Sequence, residues 1–182
     1  MPVKRITEIL PEEAKKERAL RALARRRFID YCTYVAPWWV PAAHHRLMAE
    51  ALERVERYVA TEGKEGNGRL IILIGPRTGK TEEAARLFPS WVLGKNPDKR
   101  TIITSYGAEL AQDDSKAVRG YVTSQRYAAV FGATSAVDEP VTLSDESRSK
   151  ANWDLGGDHR GGVVAAGIGG AITGRGAHLM VI

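Results

Sequence analysis

The sequence predicts an α/β layer fold, a mostly parallel sheet flanked by helices, and three observations carry that prediction. The first is a pair of aliphatic runs, residues 70–74 (LIILI) and residues 100–105 (RTIITS), with a third at residues 178–182 (HLMVI). A run with no polar alternation reads as a strand covered on both faces, as in the middle of a parallel sheet. The second is their order, since helical patterns follow the first two runs and give strand, helix, strand, helix. The third is scale: 182 residues with 43% hydrophobic and 27% charged content suffice for one domain with a buried core and are short for two.

Taken in order, residues 7–31 read as helix, with Pro11 near the start and Glu12 and Glu13 where acidic groups suit the positive end of the helix dipole. Pro37 and Pro41 break the pattern, and Trp38 and Trp39 between them need a surface to pack on. From residue 43 to residue 59, Leu47, Met48, Ala51, Leu52, Val55 and Val59 recur at helical spacing opposite Glu50, Glu53, Arg54, Glu56 and Arg57. Residues 1–60 are thus expected to form a helical N-terminal extension packed on a core spanning residues 61–182.

A polar, glycine-rich loop at 61–68 leads into the first predicted strand, residues 70–74. Residues 78–93 read as helix with Ala84, Ala85, Phe88 and Trp91 inward, and Pro89 implies a kink or an early stop. After the strand at 100–105, Leu110, Ala111, Val118, Tyr121 and Val122 mark another inward helix face. Residues 132–152 read as loop. Residues 153–176 hold nine glycines, and the short apolar pieces GVVAAGI and GAIT suggest a small hairpin.

The formal charge of +5 and the pI of about 9.4 favour approach to polyanions, because a basic surface gains affinity by releasing counterions from nucleic acid. Much of that charge sits in residues 15–28, KKERALRALARRRF, where a solvated helix face explains it more simply than a dedicated DNA contact. Cys32 is the single cysteine and lies among apolar and aromatic neighbours, so a buried structural thiol is expected and an internal disulfide is excluded. No apolar run approaches the roughly 20 residues that cross a bilayer, and no signal-peptide core opens the chain, so an intracellular protein is expected.

Chemistry concentrates in IILIGPRTGKT, residues 71–81. A glycine turn between a strand and a helix directs backbone N–H groups at phosphate oxygens, and the helix presents its positive end to the same anion. In that scheme Lys80 reaches the terminal phosphates and the Thr81 hydroxyl ligates Mg²⁺. The general pattern places its first glycine at position 74, where Ile74 stands; the first glycine here is Gly75, followed by Pro76 and Arg77. Arg77 either neutralises charge at a terminal phosphate or faces solvent. The plain alternative for the whole stretch is a strand-turn-helix with an incidental Gly79-Lys80-Thr81.

These residues resemble the large subunit of tailed-bacteriophage terminases, the motor that packages viral DNA. The stretch GPRTGKTEEAARLFPSWVLGKNPDKRTIITSYGAELAQDDSKAVRGYV is similar to the family's arginine-bearing Walker A loop, the helix ending near Phe-Pro-x-Trp, the strand ending in Ser-Tyr and a Leu-Ala helix. GAITGRGAHLMVI resembles the segment entering the Walker B strand, and PWWVPAAHHRLMAEAL the adenine-side motif, so the resemblance covers residues 36–182. It implies an ASCE-type P-loop NTPase core, ATP and Mg²⁺ as cofactors, and phosphate contacts from Gly75, Pro76, Arg77, Thr78, Gly79, Lys80 and Thr81. His44 and His45 lie where the family contacts adenine, although a packed or capping histidine fits the helical pattern as well. Arg175 matches a candidate arginine finger reaching a neighbouring subunit, or else pairs with a local carboxylate. Ser105 and Tyr106 end a strand on the side where open sheets bind ligands.

By the same resemblance the activity is ATP hydrolysis coupled to translocation of double-stranded DNA into a procapsid. The partners would be DNA, the portal protein and the small terminase subunit, in a homo-oligomeric ring in the host cytoplasm at the portal. The alternatives are another P-loop ATPase of helicase type and a non-catalytic nucleotide-binding assembly module. In the family, acidic residues that hold Mg²⁺ and activate water follow the last strand; the sequence stops at Ile182, so weak turnover and a fragment lacking the nuclease domain are expected.

Overall fold

The computed structural model describes residues 11–132, 140–144, 149–170, 172, 174 and 176–182. Three helices come first: α1 (Pro11–Arg26), α2 (Phe28–Val35) and α3 (Ala43–Ala60). The single long helix expected over 7–31 is two helices, because Arg27 takes an extended conformation between them (φ −121, ψ 126). What stabilises the break lies 25 residues on: the Glu53 carboxylate accepts the Phe28 N–H at 2.6 Å. An acidic group at a helix N-terminus satisfies an orphan donor and complements the dipole. α2 then buries Phe28, Ile29, Tyr31, Cys32 and Val35.

The phosphate-loop helix begins as a π-helix, Thr81–Leu87, and runs on without a gap into α4 (Phe88–Lys95). Pro89 therefore neither ends nor precedes the helix. Its ring would crowd the carbonyl four residues back in a continuous α-helix, and the wider π turn, with the Phe88 N–H donating to the Glu83 carbonyl five residues back, accommodates it.

The remaining elements are β1 (Arg100–Ser105), α5 (Ala108–Val122), α6 (Gln125–Phe131), β2 (Asn152–Asp154), β3 (Gly162–Gly167) and β4 (Leu179–Val181). They build an α/β fold with a four-stranded mixed sheet in the order β2-β3-β1-β4. β1 pairs in parallel with β3 from Arg100 opposite Gly162 to Ser105 opposite Gly167, and with β4 from Thr101 opposite Leu179 to Ile103 opposite Val181. β2 runs antiparallel to β3. The expected hairpin of GVVAAGI with GAIT is thus replaced by pairing of β3 with β2 upstream; Ala171 and Thr173 of GAIT lie outside the described residues.

Residues 70–74 depart most from expectation. Among the described residues they join no strand ladder, and Ile71 and Leu73 are 83% and 92% exposed. Leu70 and Ile72 alternate inward onto the core, the two-residue period of an extended chain lying on one face. Aromatic side chains dominate that core: Phe28, Tyr31, Phe88, Trp91, Tyr127 and Phe131 are linked by pairwise ring contacts into one connected cluster. Trp91 Nε1 donates to the Ala24 carbonyl and the Tyr31 hydroxyl bonds Ser90 Oγ, while the buried Tyr127 hydroxyl has no partner among the described residues. Cys32 is a buried free thiol whose pKa burial pushes up, an unreactive setting.

Candidate phosphate-binding site

The loop after residue 74 is held by its own side chains. Thr78 Oγ1 donates to the Gly75 carbonyl at 2.9 Å, closing the turn over Pro76 and Arg77. Two residues take positive φ: Arg77 at 58° and Gly79 at 83°. At Gly79 the requirement for glycine is double, since a Cβ there would also sit 2.7 Å from His45 Nε2. Arg77, an exposed side chain in the left-handed region, carries local backbone strain of the kind that collects at ligand-binding turns.

The second anchor comes from α3. His45, at the third position of that helix, accepts the Ala42 N–H on Nδ1 at 2.9 Å, the returning half of a capping box. Its Nε2 lies 2.7 Å from the Thr78 carbonyl, and His44 Nε2 lies 3.0 Å from the same oxygen. Trp39 packs on the His45 ring with centroids 4.7 Å apart, leaving His45 6% exposed, while Trp38 stays 66% exposed. Burial lowers the His45 pKa, the Thr78 bond opposes that shift and the His44 charge adds to it, so the ring is neutral.

What the loop offers a ligand is a set of unused donors. Among the described residues the N–H groups of Gly79, Lys80 and Thr81 make no backbone hydrogen bond, as befits the first turn of a helix. Lys80 and Thr81 open onto a cleft of about 670 Å³, whose walls include Val55 and Tyr58 of α3, residues 70–72 and residues 177–182. That volume is of the size that takes a nucleotide-sized ligand. No acidic side chain lines the cleft among the described residues. A smaller cavity of about 380 Å³ beside Trp91 is walled by Glu53 and Glu56, but both are committed, to Phe28 and to Lys95 and Asn96 respectively.

Triphosphate fits this donor set: free amides, one ammonium and one hydroxyl, with no carboxylate to repel it. Mg²⁺ fits only as an ion carried by the phosphates, because of the first-turn oxygen donors Glu82 is bound by Arg86 and Tyr121 and Glu83 is fully buried, only Thr81 lines the cleft, and no group of three metal-ligating side chains exists among the described residues.

The site residues expected from sequence therefore divide. Gly75, Pro76, Arg77, Thr78, Gly79, Lys80 and Thr81 form one continuous loop and helix start, and His44 and His45 meet it at Thr78. Arg175 lies outside the described residues. Ser105 ends β1 as expected, with its carbonyl accepting the Ile168 N–H, and Tyr106 beyond it is 94% exposed.

Sequence reasoning missed Glu83. It is fully buried on the π-helical segment, both carboxylate oxygens lack a partner among the described residues, and burial pushes its pKa up to about 8. An acidic residue in a helical first turn carries no local mark of burial; only the fold turns it inward. Its neighbours on that segment are conventional: Glu82 is bound by Arg86 and by the Tyr121 hydroxyl.

No helix among the described residues is long and apolar enough to cross a membrane. No family model, curated protein or solved structure matches the chain.

Proposed function

We propose that this chain binds ATP with Mg²⁺ at the loop 75–81 and belongs to the ATPase part of a DNA-translocating motor of the terminase type. One observation supports this above the others: Gly79, Lys80 and Thr81 offer amides with no backbone partner among the described residues, and Lys80 and Thr81 bring an ammonium and a hydroxyl to the wall of a cleft of about 670 Å³. The amides and Lys80 hold the phosphates, and Thr81 contributes an oxygen to the metal. Bound Mg²⁺ supplies neutralisation of the phosphate charge. Arg77 and, from the resemblance alone, Arg175 are the cationic side chains for charge that develops during transfer. The net charge of +5 suits a double-stranded DNA partner. A portal protein, a small subunit and a ring of copies at the procapsid come from the resemblance.

A second reading, a nucleotide-binding module with little turnover, is favoured by one feature. The described walls of the cleft carry no carboxylate to activate water.

Calorimetric titration of Mg·ATP into the chain and into Lys80→Ala tests the first reading, and turnover with and without duplex DNA separates the two. Loss of the lysine, a charge-assisted partner of the phosphates, weakens ATP binding roughly 10- to 100-fold. Undiminished binding by Lys80→Ala sinks the phosphate assignment. Turnover that DNA stimulates favours the motor, and binding without turnover favours the module.

A further inference from the structure

We propose that His44 and His45 are positioning residues of the phosphate loop: by fixing the Thr78 carbonyl they set the orientation of the Gly79 N–H. This rests on the reading of residues 75–81 as the phosphate site. A carbonyl oxygen only accepts, so a nitrogen 2.7 Å from it must carry the proton. His45 Nδ1 accepts the Ala42 N–H and is bare, which puts the proton of the neutral ring on Nε2, facing Thr78. His44 Nε2, 3.0 Å from the same oxygen, donates as well. The 3.1 Å approach of the two Nε2 atoms is then two donors converging on one acceptor and not a bond between the rings.

The consequence follows from peptide geometry. The Thr78–Gly79 peptide is trans, so its N–H points opposite to its C=O. With the carbonyl held toward the start of α3, the Gly79 N–H is turned away from that helix, and it makes no backbone bond among the described residues. The anchor is preorganised: His45 is nearly buried, uses both ring nitrogens and is backed by Trp39. Both its nitrogens being engaged, His45 has none left for a nucleotide base.

The test compares Mg·ATP with Mg·tripolyphosphate, which has no base, in the wild-type chain, His45→Ala, His45→Gln and His44→Ala. Amide spectra of each unliganded protein are recorded in parallel. The expected result is that His45→Ala weakens both ligands by the same factor, about tenfold for one strong hydrogen bond, and shifts the Gly79 amide signal without any ligand. His45→Gln, whose side-chain N–H can reach the carbonyl, recovers most of the affinity. If His45→Ala does not fold, His44→Ala carries the same comparison with a loss of about threefold.

Weakened ATP binding with unchanged tripolyphosphate binding makes the histidines base contacts and overturns the proposal. An unmoved Gly79 amide in both alanine variants overturns it too. A wild-type chain that binds neither ligand, while its Gly79 amide still responds to the substitutions, defeats the ATP reading and supports the anchoring.

Discussion

Ile102 and Ile103 of β1 are each 1% exposed, whereas Ile71 and Leu73, in a run at least as aliphatic, are 83% and 92% exposed. Both runs are extended, and both feed a turn into a helix. β1 has a parallel strand on each side, β3 and β4, while residues 70–74 have no ladder partner among the described residues and rest on the core through Leu70 and Ile72 alone. Apolar, β-prone composition sets an extended backbone with one face inward; neighbours decide whether a second face is covered. The difference has a functional side. A loop carried by a laddered strand inherits the rigidity of the sheet, but the loop at 75–79 is anchored from α3, through His44 and His45, and by its own Thr78–Gly75 bond.

The sharpest way to break the comparison is truncation of each run. Ile103→Ala should cost about 2–4 kcal/mol, transfer and cavity together. Ile71→Ala and Leu73→Ala should each stay within about 0.5 kcal/mol, as exposed positions do. Urea melts measure both; equal costs would mean that residues 70–74 are covered in solution.

Next in size is the loop. Gly79→Ala forces a side chain into the left-handed region, roughly 1–2 kcal/mol, and against His45 Nε2, so it should lower both stability and ATP affinity. Gly75→Ala meets nothing nearer than Thr78 Cγ2 at 4.0 Å and should change either quantity little. Paired thermal melts and nucleotide titrations read the contrast. If the two substitutions behave alike, the loop is not held against α3.

A third effect, read as a pH dependence, concerns the helix beneath the loop. Glu83 has a folded pKa of about 8 against an ordinary 4.5, so between these values the folded protein keeps a proton that the unfolded chain has released. Its stabilising contribution is full below pH 4.5 and is lost as pH rises through 8. Glu83→Gln stays neutral throughout, so its stability relative to wild type should climb across that window; a constant difference from pH 5 to pH 8 would show that Glu83 is ionised or solvated in the folded state.

Local chemistry was legible in the sequence and distant chemistry was not. Gly79-Lys80-Thr81 at a turn before a helix could be read directly, because the turn, the free amides and the lysine all arise within seven residues. β1, β4, α5 and the buried Cys32 follow from composition and periodicity in the same way. The break at Arg27 could not be foreseen, since it depends on Glu53 reaching Phe28 from another helix. Pro89 reads in the sequence as a kink or an early stop because a π-helical turn that relieves it has no local signature. His44 and His45 were singled out in the sequence as adenine-side candidates or packed histidines, yet their contact with the Thr78 carbonyl became visible only once the start of α3 was seen against that loop. Leu47 shows the same limit inside a correct helix: it is in phase with the apolar stripe but 69% exposed.

The central claim is that the amides of Gly79, Lys80 and Thr81, with the Lys80 ammonium, enclose the phosphates of ATP. Residue-resolved amide shifts recorded during titration with Mg·ATP test it most directly. The account predicts the largest perturbations at residues 75–81, saturating with the calorimetric affinity and absent in Lys80→Ala. Saturable ATP binding that leaves those amides unmoved, or perturbs another surface instead, would contradict it.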